Sequence, residues 1–97
     1  MQVMRTEEFA PRTNETFDLS LGETSLALTL VEVQPLPVNA FPGMTRPPFS
    51  LIFRSSSPVV MPQRVYRLTN ATLGPLEIFL TPISRDAQGI LYQAVFN

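Results

Sequence analysis

The sequence predicts an all-β fold: a small antiparallel β-barrel of about six strands with a short N-terminal helical turn. Three observations carry this expectation. Apolar and polar residues alternate over short runs such as "TFDLSL" and "PLEIFLTPI", the period of a half-buried strand. Glycines (Gly22, Gly43, Gly74 and Gly89) fall between the apolar runs, where turns need positive φ. At 97 residues the chain forms one domain, 1–97, whose few strands must close tightly to bury a core.

The elements follow in order. Thr6, with Glu7 and Glu8 behind it, reads as a helix N-cap with acids in the first turn. Pro11 limits this helix and leaves Phe9 to pack inward. In "TFDLSL", Phe17, Leu19 and Leu21 share one face, and Gly22-Glu23 then makes a hairpin turn. Leu26, Leu28 and Leu30 continue the alternation, but Val31 and Val33 are apolar on the other phase. That slip predicts a β-bulge near Leu30, which bends the strand as barrel closure requires. Residues 34–48, "QPLPVNAFPGMTRPP", are too proline-rich for regular structure. "FSLIFR" is the next strand, with Phe49, Leu51 and Phe53 on one face. "SSSPVVMPQ" is a second proline-bounded loop, and "RVYRLTN" a strand with Tyr66 and Leu68 opposite Val65 and Arg67. In "PLEIFLTPI", Leu76, Ile78 and Leu80 alternate with Glu77, Phe79 and Thr81, and Pro82 marks an edge or a bulge. "SRDAQG" turns into the last strand, "ILYQAVFN", apolar on both faces and so expected to be buried on two sides or packed against a covering segment.

Composition excludes much chemistry. The chain has no cysteine, histidine or lysine. Disulfides, thiolate nucleophiles, Schiff bases and the commonest general base and metal ligand are therefore absent. All the basic residues are arginines, which bind and pair but almost never release a proton. No carboxylates cluster in a metal-loop pattern or at acid/base spacing. We expect no enzyme, no cofactor and no metal. No apolar run spans a membrane and the N-terminus lacks a signal-peptide core, so the expectation is a cytoplasmic protein with no membrane partner. The sequons at Asn14 and Asn70 read as turn residues.

In the C-terminal half, "PFSLIFR" (48–54), "MPQRVYRL" (61–68), "LGPLEIFLTPI" (73–83) and the ending "YQAVFN" (92–97) form an ordered set, preceded by "EEFAPRTNETFDLSL". This set resembles a bacterial family of small all-β domains of unknown function, DUF6916. The resemblance spans nearly the whole chain, and its motifs are specific as a set and weak singly. It departs at Arg64-Val65, where the family usually has Gly-Thr, and at Arg12-Thr13-Asn14, where Val-Gly is common. The resemblance implies a short all-β domain with no known enzymatic activity. It also implies a neighbourhood of phage-tail-collar-like proteins, and hence a part in a tail-like or surface assembly.

Two features point to contacts. Residues 1–33 carry six acids and two arginines, whereas the rest carries five arginines and two acids. The two parts are −4 and +3, summing to −1. Either the arginines form a face for an anionic partner, or they pair across strands with Asp18, Glu23 and Glu32, which is the favoured reading. Net charge −1 and pI near 5.2 argue against nucleic acid. The proline-rich loops are the second feature. Apolar loop residues either plug a barrel end or meet a partner; plugging is favoured for the shorter loop, and the readings are even for Pro35–Pro48. The expected function is a non-enzymatic interaction or structural module with a protein partner, and a homo-oligomer is an open option. The alternative is a small-ligand or carbohydrate-binding domain using a polar pocket at Arg54, Arg64 and Tyr66. The candidate contact residues are Phe41, Met44, Arg46, Arg54, Arg64 and Tyr66. A hydrolase would need two carboxylates converging in one cleft.

Overall fold

The computed structural model describes residues 5–36 and 48–96. Six strands follow a helical turn α1 (Thr6–Phe9) and a 3-10 turn (Ala10–Arg12). They are β1 (Thr16–Leu21), β2 (Thr24–Pro35), β3 (Phe49–Ser55), β4 (Arg64–Asn70), β5 (Gly74–Asp86) and β6 (Gly89–Phe96). The sheet closes in the order β1-β2-β3-β6-β5-β4, every neighbour antiparallel. The expected all-β barrel is thus the observed one, and closure removes the open edges that a six-stranded sheet would expose.

The inward residues are those the alternation selects. Phe17, Leu19, Leu28, Leu30, Phe49, Leu51, Phe53, Leu68 and Leu80 are fully buried. At about 1.5–3 kcal/mol for each buried large side chain, this lining supplies the main drive for closure. The register of β2 against β3 shifts between Leu30 and Glu32, where the phase of the sequence slips. The register of β5 against β6 shifts between Pro82 and Ser84, so Pro82 marks a bulge rather than an edge.

Antiparallel order puts α1 and the β4–β5 turn at one end of the barrel. The β1–β2 turn, the loop Ser56–Gln63 and the β5–β6 turn lie at the other. Phe9 stops the first end. Its ring lies 6.4 Å from Phe17, 5.9 Å from Phe49 and 5.8 Å from Phe96, while Phe49 and Phe96 stack at 4.7 Å. Such contacts add roughly 0.5–1.5 kcal/mol each beyond area burial.

Three expectations need correction. Thr6 is the first helical residue, and Arg5 occupies the N-cap with no side-chain hydrogen bond. Extended φ and ψ at Arg5 already set the entry angle, leaving Thr6 no capping role. The strand buried on both faces is β3, where Ser50 and Ile52 are buried along with the inward Phe49, Leu51 and Phe53. In β6 the outward Val95 is half exposed, because apolarity on two faces does not decide which face a neighbour covers. The turn predicted at Ser84–Gly89 shrinks to its last residues, since β5 continues in register with β6 to Asp86.

Candidate functional site

The loop end of the barrel gathers three of the six contact candidates, and its geometry is set by side chains reaching the loop's backbone. Ser55 Oγ accepts the Ser57 N–H at 3.1 Å, and Ser57 Oγ accepts the Val59 N–H at 3.2 Å. Arg85 donates to the Pro58 carbonyl at 3.3 Å. The Met61 N–H donates to the Tyr92 hydroxyl at 2.9 Å, and the Tyr66 hydroxyl donates to the Pro62 carbonyl. Tyr66 and Tyr92 are core residues of β4 and β6, so two side chains of the barrel lining grip successive residues of the loop. Pro58 and Pro62 fix their own φ in addition.

This frame splits the loop's apolar residues. Met61 packs against the core and stoppers the barrel, as plugging predicts. Val59 and Val60 point outward, 63% and 51% exposed. Ile83, the β5 bulge residue, is also exposed, two positions before the arginine that holds Pro58.

The charges have mixed fates. Arg54 Nη1 donates to both oxygens of Asp86, at 2.8 and 3.1 Å. The Gln88 backbone N–H, followed by Arg54, holds the Asp86 carboxyl below its ordinary value. Arg64 has its guanidinium 5.0 Å from the centre of the Tyr66 ring, a cation–π contact. Burial pushes the Tyr66 phenol up, against the pull of Arg64. Arg67 faces Glu77 at 3.7 Å, and Arg12 faces Glu15 at 3.2 Å. Arginine pairing is therefore real, but the partners are Asp86, Glu77 and Glu15 rather than Asp18, Glu23 and Glu32. Strand order explains this: β3, β6 and β5 lie side by side, which brings Arg54 to the end of β5, whereas Asp18 stands across from Thr69.

Of the sequence candidates, Arg54, Arg64 and Tyr66 lie at this end; Phe41, Met44 and Arg46 lie outside the described residues. Arg54 is paired, and Tyr66 is 3% exposed with its hydroxyl committed, so these two do not line an open polar pocket. Glu15, Glu77 and Asp86 each face an arginine rather than one another. Among the described residues no three potential metal ligands converge, and no helix is long and apolar enough to cross a membrane. Sequence reasoning singles out neither Val59 and Val60 as contacts nor Val65 and Phe79 on the outer wall. The alternation in β4 and β5 is the available signal, for it sets those two opposite the core residues.

No curated protein and no solved structure matches this chain. The profile of the family described as Domain of unknown function (DUF6916) matches residues 4–96. That match takes in every strand of the barrel, and the chain belongs to this family.

Proposed function

We propose that the domain is a non-enzymatic protein-interaction module of a larger assembly, and that it docks through the loop end. One observation carries the reading: Val59 and Val60 are exposed on a loop whose backbone is held at Ser57, Pro58, Val59, Met61 and Pro62. Solvent-facing apolar side chains on a fixed backbone are pre-organised, so ordering entropy takes little from the binding energy. Arg64 opens β4 just after the loop and Arg85 holds Pro58; among the described residues they are engaged by a ring face and a carbonyl, not by a carboxylate. The matching partner surface is an apolar depression with an acidic rim. The resemblance to domains found beside tail-collar-like proteins supports a collar-like partner in a bacterial tail-like or surface assembly. The small-ligand reading loses its polar groups to the Arg54–Asp86 pair and the burial of Tyr66.

The test is titration of the domain, by calorimetry, against a tail-collar-like protein from the same host. Val59→Asp with Val60→Asp should weaken association by about a hundredfold, the loss of two buried apolar anchors. The melting temperature should stay near that of the parent, because both side chains are exposed. Unchanged affinity in a folded double variant would remove the loop end from the reading.

A further inference from the structure

The outer wall carries a second apolar feature, on the strands themselves, just beyond the loop end. Val65 on β4 and Phe79 on β5 are directly opposite in the ladder, and they are 57% and 49% exposed. Two residues on from the Thr81–Gln93 pair, Val95 continues the stripe on β6, half exposed. The next outward row on β4 and β5 is Arg67 opposite Glu77, 62% and 69% exposed and 3.7 Å apart. Soluble strands ordinarily place polar residues at outward positions of this kind, and an aromatic paired with a β-branched residue there calls for an occupant.

We propose that this β4–β5 wall is a homotypic contact, and that its occupant is the same wall of a second copy. The argument is charge and shape complementarity of the face with itself. Place a two-fold axis in the plane of contact, parallel to the strands and midway between β4 and β5. Each β4 residue then faces the β5 residue at its own level in the other copy. Val65 meets Phe79 and Arg67 meets Glu77, and symmetry repeats both contacts. A partner of another kind would have to supply a cation, an anion, a small apolar group and an aromatic in this arrangement; a second copy supplies all four. The twist of each sheet turns the facing strands about 30° from parallel, the usual angle of aligned sheets. A face two strands wide is smaller than the roughly 800 Å² that a standard interface takes from each partner. The dimer is therefore weak, and it is populated at high local concentration, as when copies are held side by side.

Sedimentation equilibrium of the full chain, up to about 1 mM, tests this. The mass should rise with concentration toward two chains, and Phe79→Ser should weaken association about tenfold or more. Arg67→Glu alone places four carboxylates at the contact and Glu77→Arg alone places four guanidiniums, so each variant should be monomeric. Mixing the two variants sets two carboxylates against two guanidiniums in every mixed pair, and a one-to-one dimer should return. Cooperative melting of each variant shows that the barrel is intact. A parent chain that stays monomeric throughout the range overturns the proposal. So does a dimer indifferent to Phe79→Ser, or a mixture that associates no better than its components.

Discussion

Gly89→Ala is the substitution whose outcome the geometry determines most sharply. Gly89 opens β6 with φ +131, a conformation that L side chains rarely adopt. A Cβ there would stand 1.8 Å from the Ser55 carbonyl oxygen and 2.8 Å from its carbon. Real Cβ atoms keep at least 3.0 Å, so the two strands must part by about 1.2 Å, the difference of those distances. The obstruction is backbone, and it is tied down: Ser55 is registered with Ile90 and Arg54 with Leu91. Hydrogen bonds tolerate a few tenths of an ångström, so such a shift breaks the end of the β3–β6 ladder. Gly22 is the control, with φ +77 and no atom within 4 Å of its hypothetical Cβ. Gly22→Ala incurs the backbone term alone, about 1–2 kcal/mol. Gly89→Ala adds about 1–3 kcal/mol of forced repacking and about 1 kcal/mol for a lost ladder bond, roughly 3–6 kcal/mol in all. For a domain of this size each kcal/mol lowers the melting temperature by about 4–8 °C. Calorimetric melts in one buffer should place Gly89→Ala about 8 °C or more below Gly22→Ala. If the two variants melt together, the close approach of β3 and β6 is not what the glycine serves, and the reasoning fails.

Two further outcomes follow from the polar contacts. Asn70 is buried; its amide donates to Glu15 Oε1 and the Thr16 carbonyl, and its oxygen accepts from the Thr72 and Leu73 N–H groups. Asn70→Ala strands several of these groups and should destabilise by about 2–4 kcal/mol in denaturant unfolding; a loss under about 1 kcal/mol would show that water replaces them. The Asp86 carboxyl is held below its ordinary value in the folded chain, so its contribution is present above about pH 4 and fades as pH falls through the folded value. The gap in melting temperature between the parent and Asp86→Asn should therefore close on acidification below about pH 4; a gap that persists unchanged would mean that the charge on Asp86 does not matter.

The inward set is legible in the sequence because a strand's period is two residues whatever surrounds it. Parity assigns Phe17, Leu19, Leu28, Phe49, Leu51 and Phe53 to the interior, and all are buried. The bulge near Leu30 is legible for the same reason, as a break in parity. The arginine partners are not, because Arg54 meets Asp86 only through the order β3-β6-β5, and strand order leaves no mark in local sequence. The loop Ser56–Gln63 is half legible. Its prolines announce a rigid connection, but which apolar residue faces out depends on hydroxyls from β4 and β6 that lie near it only after closure.

Closure also decides how this domain can meet another protein. Each strand has a hydrogen-bonded neighbour on both sides, so no strand offers a fully open edge for another to join. Side chains that project from fixed backbone are the larger contact surface, and two sets project in this way. Side-chain hydrogen bonds from the lining fix the loop that carries Val59 and Val60; the β4–β5 ladder fixes Val65 and Phe79. Tyr66 supports both, through its hydroxyl on Pro62 and its place opposite Ile78 in the ladder, so substitutions that spare Tyr66 should leave binding at the other set intact. On the proposed reading, a small barrel with a heterotypic tip and a weak homotypic wall holds a partner while it stands beside copies of itself. The wall contact, weak between free chains, would then gain from the high local concentration that a repeating assembly imposes.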